Sequence, residues 1–202
     1  MVRRYKLKER ARAQEETRAR IVKATVALHE SVGLRATTIS AIAERAGVER
    51  LTVYRHFPNE AALLKACSSH WFAQNPAPDP SQWEIISVPR ERVREALVRL
   101  YGYFRGARRM LTSVYRDEPF LTIKSPLEPF REYLNGVADT LSKQYGKAST
   151  RGGVAATLRH AVQFETWRSF AELGLSDTAT VDLVASWIDG LASSASRAAR
   201  SA

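Results

Sequence analysis

The 202-residue chain carries 31 Lys and Arg against 21 Asp and Glu, a net charge of +10, and 45% of its residues are hydrophobic. That is enough chain for one sizeable core or two modest domains. A single cysteine, Cys67, excludes an internal disulfide framework and suits a reducing compartment, no apolar run approaches the roughly 20 residues that span a bilayer, and the basic N-terminus lacks a secretory signal's apolar segment, so a cytoplasmic protein with no membrane partner is expected.

Residues 1–12 hold Arg3, Arg4, Lys6, Lys8, Arg10 and Arg12 against Glu9 alone, six positive charges less one negative, or +5. Residues 1–15 therefore read as a basic flexible arm. It can neutralise phosphates or reach a minor groove beside a bound protein, or it can be a solvated tail. A helix is predicted from Glu16 to Val32, with Ile21, Ala24, Leu28 and Val32 as its buried stripe and Gly33 as its end.

The stretch Thr38–Leu64 organises the chain. Ile39, Ile42 and Ala43 give a short helix one apolar face, Thr38 supplies the N-cap hydroxyl, and Gly47 falls where that helix must stop. A second helix follows over Glu49–His56, pinned inside by Val53 and Phe57, which lie four residues apart. Such a helix-turn-helix can present its second helix to the major groove of DNA. Arg50, Thr52, Tyr54, Arg55 and His56 decorate that helix, and a solvated surface helix is the competing reading of the same spacing.

The run TTISAIAERAGVERLTVYRHFPNEAALL resembles the N-terminal domain of TetR-type transcriptional regulators. The resemblance rests on the threonine that opens the first short helix, on Ile42-Ala43 and Ala46-Gly47-Val48, on Thr52-Val53-Tyr54 and His56-Phe57, and on the Ala-Leu-Leu that follows. It extends back through Ile21–Gly33 and covers about a quarter of the chain. Two positions depart from the family's pattern: Leu51 stands where a small residue is common, and Glu60 where many members place a phosphate-contacting lysine. The resemblance implies a DNA-binding set of Thr38, Ser40, Arg50, Leu51, Thr52, Tyr54, Arg55 and His56 within a domain at residues 16–58. Arg50, Thr52 and Ser40 are the candidates for base edges, arginine being suited to bidentate contact with guanine. Thr38, Tyr54, Arg55 and His56 are the candidates for phosphates.

A connecting helix is expected over residues 59–73, capped by Asn59. Cys67 and His70 lie three apart within it, but two ligands without partners do not make a metal site, and packing is the simpler reading. Pro76, Pro78 and Pro80 mark a linker over 74–89. Residues 90–202 then read as helical throughout, with a break near Gly106, a helix over Phe130–Tyr145, a long helix over Ser149–Leu173 and a last one over Asp177–Arg197. No strand pattern or nucleotide-cradling loop appears. The fold class is all-α: an N-terminal three-helix helix-turn-helix domain and a C-terminal helical ligand-binding and dimerisation domain.

One short recognition helix contacts few base pairs, so a homodimer on a palindromic site has a physical motive. By resemblance the last two helices would pair with a partner chain. The interface set is Leu158, Val162, Val181, Val184, Ile188 and Leu191, unless these face only their own core. Tyr101, Phe104, Met110, Tyr133, Phe164 and Trp167, with Tyr103 beside them, could line a cavity for a small hydrophobic or aromatic effector, or simply fill a helical core. The expectation is a repressor of double-stranded DNA targets released by that effector, with no cofactor, metal or catalytic residue. A non-specific, charge-driven nucleic-acid-binding protein is the alternative. A small helical enzyme is another, but its histidines (His29, His56, His70 and His160) are scattered, and His160 and Glu165, five apart on one helix, make a poor dyad.

Overall fold

Residues 1–31 contain neither glycine nor proline and are dominated by Arg, Lys, Glu, Gln and Ala, all strong helix formers. In the computed structural model, which describes residues 2–146 and 153–200, they form one helix, α1 (Val2–Ser31). This corrects the expected flexible arm. The lack of an apolar face before Ile21 is no stop signal, and the exposed Arg12–Glu16 pair (2.9 Å, four residues apart) gives the solvated stretch modest support. Further along α1 the buried face runs through Ile21, Val22, Thr25 and His29, while Val32 is exposed. Thr25 is tolerated there because its hydroxyl donates to the Ile21 carbonyl at 2.8 Å.

The first of two compact units comprises residues 1–76 and 109–126. Within it α1 packs on α2 (Ile39–Ala46) and α4 (Glu60–Gln74), and α3 (Arg50–His56) packs on α2. Ile21, Val22, Ile42, Ala43, Ala46, Val53, Phe57, Leu63 and Cys67 make the core. Burial pushes the Cys67 thiol up to about 12, so this cysteine packs as a small apolar residue.

The second unit comprises residues 77–108 and 127–202. The proline-rich linker is anchored there by a short helix, α5 (Ser81–Glu84), whose Trp83 is fully buried. Gln82 accepts from Arg99 at 2.8 Å, and the Ile86 carbonyl accepts from Arg92 Nε at 2.5 Å. The helix α6 (Pro89–Asp117) runs without the break expected near Gly106. Val93, Leu97, Leu100, Phe104, Ala107, Leu111 and Val114 are all buried and keep spacings of four and three across that glycine, so one helix serves every one of them. Residues up to Arg108 of α6 belong to the second unit and those from Arg109 to the first.

A 3-10 turn (Glu118–Phe120) and α7 (Glu128–Lys143) follow. The long helix expected over Ser149–Leu173 is two, α8 (Val154–Ala161) and α9 (Phe164–Glu172); residues 149–152 lie outside the described residues. Val162 and Phe164 are both fully buried. On a continuous helix they would point about 200° apart, and the extended backbone at Gln163 lets both face inward. The Thr166 hydroxyl donates to the His160 carbonyl at 2.7 Å, beside the Gln163 N–H that the same oxygen accepts at 3.1 Å. The last helix, α10 (Asp177–Arg200), packs on α8 and α9, and Arg90, Arg94 and Arg105 of α6 pair with its Asp189, Asp182 and Asp177. Among the described residues no helix is long and apolar enough to cross a membrane.

Candidate nucleic-acid interface

The reading element is built from its caps. Thr38 adopts extended backbone and its hydroxyl oxygen accepts from the Ala41 N–H at 3.1 Å, which starts α2. Gly47 lies at φ 63°, ψ 45°, and its N–H bonds to the carbonyls of Ala43 and Glu44. Val48 N–H also returns to Ala43 O at 2.9 Å. This left-handed closure turns the chain sharply into α3. Asn59 then caps α4, its side-chain oxygen accepting from Ala62 N–H at 2.8 Å.

On α3, Val53 and Phe57 are the inner anchors, 1% and 3% exposed. At about 100° per residue, Arg50, Tyr54, Leu51 and Arg55 span a sector of about 140°, with Arg50 at the edge next to Phe57 and Arg55 at the edge facing away from the anchors. All four are exposed, Leu51 by 61% and Tyr54 by 47%. Thr52 and His56 flank that sector and are half-buried, so they stand at the edge of the outward face. Thr38 and Ser40 are exposed at the start of α2. All eight candidates therefore lie on one short stretch, with Tyr54 and Leu51 central to the exposed sector, Arg50 and Arg55 at its edges and Thr52 beyond it. Arg18 stacks over the Phe57 ring at 4.8 Å, and the Arg20 guanidinium lies 3.8 Å from where a Cβ on Gly47 would stand. Arg20 is exposed, and it adds positive charge beside the turn that spacing along α1 did not reveal.

A clip that the sequence reading missed holds the corner before α2. Asp117, 4% exposed, accepts from the Arg35 N–H at 3.1 Å and from Arg116 Nε at 2.8 Å. The Arg116 hydrogen bonds, with further help from the Arg35 backbone, hold the Asp117 carboxyl below the usual carboxylate range against the opposing effect of its burial. Ser113 donates to the His29 carbonyl at 2.7 Å. Gly33, at φ 98°, sits so close that an added Cβ would land on the Arg116 guanidinium and the Asp117 carboxylate. The local signal in the sequence was only a glycine ending a helix; Asp117 lies 82 residues beyond Arg35.

The other two predicted sets fare differently. Tyr101, Phe104, Phe164 and Trp167 come together in the second unit, with ring centroids 5.7 Å apart for Phe104–Phe164 and 5.6 Å for Phe164–Trp167. Met110 belongs to the first unit. The polar ends of this cluster are already engaged: Tyr101 donates to Ala161 O at 3.0 Å, Trp167 Nε1 to Asp177 at 3.0 Å, and Tyr133 to Pro78 O at 2.7 Å. These contacts make the aromatic set a packed core.

Of the expected interface residues, Leu158, Val162, Val181, Val184 and Ile188 are at most 1% exposed in the single chain. They fill the space between their own helices, which corrects the expectation that they face a partner; only Leu191 is half-buried. The apolar surface that the same helices leave outward is Leu173 (75% exposed) and Trp187 (43%), with Phe170 5.9 Å from the Trp187 ring.

Residues 21–67 match the family described as bacterial regulatory proteins, tetR family. The chain is 43% identical over 60 residues to the HTH-type transcriptional repressor KstR of Rhodococcus jostii (strain RHA1), a stretch covering 30% of this chain and 28% of that protein. KstR of Mycobacterium tuberculosis (strain ATCC 25618 / H37Rv) is 39% identical over 62 residues, 31% of this chain and 28% of that one. The chain thus spans little more than a quarter of the length of these curated relatives. Among solved structures, a TetR-like transcriptional regulator from Rhodococcus sp. RHA1 superposes with TM-score 0.59 at 19% identity, over 85% of this chain and 93% of that one. HlyIIR, a hemolysin II transcriptional regulator, superposes with TM-score 0.55 at 19% identity, over 86% and 97%. At that identity the likeness concerns the fold alone.

Proposed function

We propose that this chain, whose residues 21–67 match the tetR family and whose fold is TetR-like over most of its length, is a TetR-type regulator that acts as a homodimeric repressor released from a palindromic operator by a small apolar effector. The observation that carries this reading is the outward sector of α3. Two arginines, a tyrosine and a leucine stand exposed on a seven-residue helix that is held from within by Val53 and, just past its end, by Phe57.

Each group has a role that its chemistry suits. Arg50 offers a two-pronged donor to a guanine edge, and Leu51 an apolar surface to a thymine methyl. Tyr54 and Arg55, with Thr38 and His56 at the flanks, supply phosphate donors that set register. Arg20 adds a phosphate contact beside the turn, and Lys8, Arg10 and Arg12, exposed on α1, extend the positive surface. The repressor sense follows the name of the KstR relatives, which share only the DNA-binding stretch. Pairing is assigned to the exposed faces of α9 and α10 around Leu173 and Trp187, and the effector to the second unit.

Footprinting on DNA flanking the protein's own gene tests the reading. A protected, two-fold symmetric stretch that survives excess random duplex supports it. Equal protection of any duplex would leave only the charge-driven alternative.

A further inference from the structure

The first unit holds a cavity of about 340 Å³ beside the recognition helix, within the size range of small-molecule sites. Its lining is mixed: apolar side chains from Ile42 of α2, Phe57 at the end of α3, Leu63 and Leu64 of α4, and Leu121 from the segment after α6 stand with the polar Thr37 and Asn59. His29 reaches it from α1. This residue is 9% exposed, and its imidazole has no hydrogen-bond partner among the described residues; only its backbone carbonyl is engaged. Buried polar side chains ordinarily have a partner, so an idle imidazole facing a cavity is a specific vacancy for one. At the mouth stand Tyr54 and Glu60, both exposed.

The geometry points to a second ligand site, inside the DNA-binding unit, for a small uncharged molecule with an apolar body and one hydroxyl, such as a phenol, whose hydroxyl meets the His29 imidazole. Charge selects the class. Burial pulls the His29 imidazole down to about 4, so at neutral pH it offers no countercharge to an acid, and the Glu60 carboxylate at the mouth repels one. A cation could meet the Glu60 carboxylate at the mouth, but further in it would find no buried carboxylate among the lining residues. A neutral hydroxyl loses little on entry and regains a hydrogen bond. Because Tyr54 forms both the cavity wall and the outward face of α3, an occupant acts on the reading helix directly. This last consequence, unlike the site itself, rests on the proposed DNA-binding role.

The test is a titration of the full-length protein, labelled at Ile, Leu and Val methyl groups, with para-butylphenol followed by NMR. Saturable shifts are expected at Ile39, Ile42 and Leu63. Leu121→Trp, a half-buried loop position, fills the cavity and should abolish them, and His29→Leu should weaken binding about tenfold. Shifts that never saturate, that saturate only at second-unit methyls such as Val181 and Ile188, or that survive Leu121→Trp unchanged would overturn the site. In a footprint established beforehand without ligand, the phenol should weaken protection by the wild type and spare Leu121→Trp. A chain that protects no DNA yet shows the saturable shifts keeps the site and overturns the regulatory reading instead.

Discussion

His29 lies on the inner face of α1, where desolvation lowers its pKa from 6.5 to about 4 despite the opposing pull of Asp117. The folded state therefore binds fewer protons than the unfolded chain between those values. Stability is unaffected above about pH 6.5, falls as pH drops through the window, and stops falling on this account near pH 4. The full loss is on the order of 3 kcal/mol. Asp117 works at lower pH, since its carboxyl is held below 3.8 in the fold and its contribution is lost only as pH falls through that depressed value. Urea unfolding of the wild type and of His29→Leu at pH 7 and pH about 4.5 should show the wild type losing more; equal losses would mean His29 is not buried neutral. Gly33 gives a second prediction at this scale. Alanine there meets both an unfavourable positive φ and the Arg116–Asp117 pair, so Gly33→Ala should cost more than about 1 kcal/mol in unfolding free energy. A neutral substitution would mean that the clip does not hold the corner. Neither position was readable from local sequence, because the apolar stripe of α1 pointed to Val32 instead of His29 and the clip joins residues far apart in the chain.

Among the elements, those with local signals were legible. Thr38, Gly47 and Asn59 mark helix ends through chemistry that acts within a few residues, and each cap forms as its residue type predicts. Elements whose limits depend on packing were not. Gly106 resembles a stop only until the unbroken spacing of buried residues on both sides is weighed against it, and the break at Gln163 exists because Val162 and Phe164 both have to be inside. The basic N-terminal segment lacked an apolar face and so read as an arm, although its composition favours helix. The continuity of α6 is testable. Gly102 and Gly106 are exposed, and an added Cβ on either meets nothing within 4 Å. Replacing each by alanine should stabilise the protein by about 0.5–1 kcal/mol in thermal or denaturant melts. Destabilisation at Gly106 would show that the glycine is needed for a bend there.

For the whole molecule, the candidate DNA face was legible in the sequence, because all eight of its residues lie within one short run whose inner and outer sides follow from helical spacing. The proposed dimer face was not. Spacings of three and four on α10 identify a seam but not which of two seams is spent at home, and Val181, Val184 and Ile188 turned out to be the inner one. Trp187→Glu places a charge on the outer seam, so at micromolar concentration it should shift the protein from dimer to monomer in analytical ultracentrifugation while the helical circular dichroism is kept. A variant that remains dimeric would move the interface elsewhere.

The measurement that bears most directly on α3 as the reading element is the affinity of wild type and Arg50→Ala for the footprinted site and for random duplex of equal length, at one salt concentration. The loss expected for Arg50→Ala is about 1–3 kcal/mol on the footprinted site, with little change on random DNA. An equal loss on both, or none on either, would contradict it.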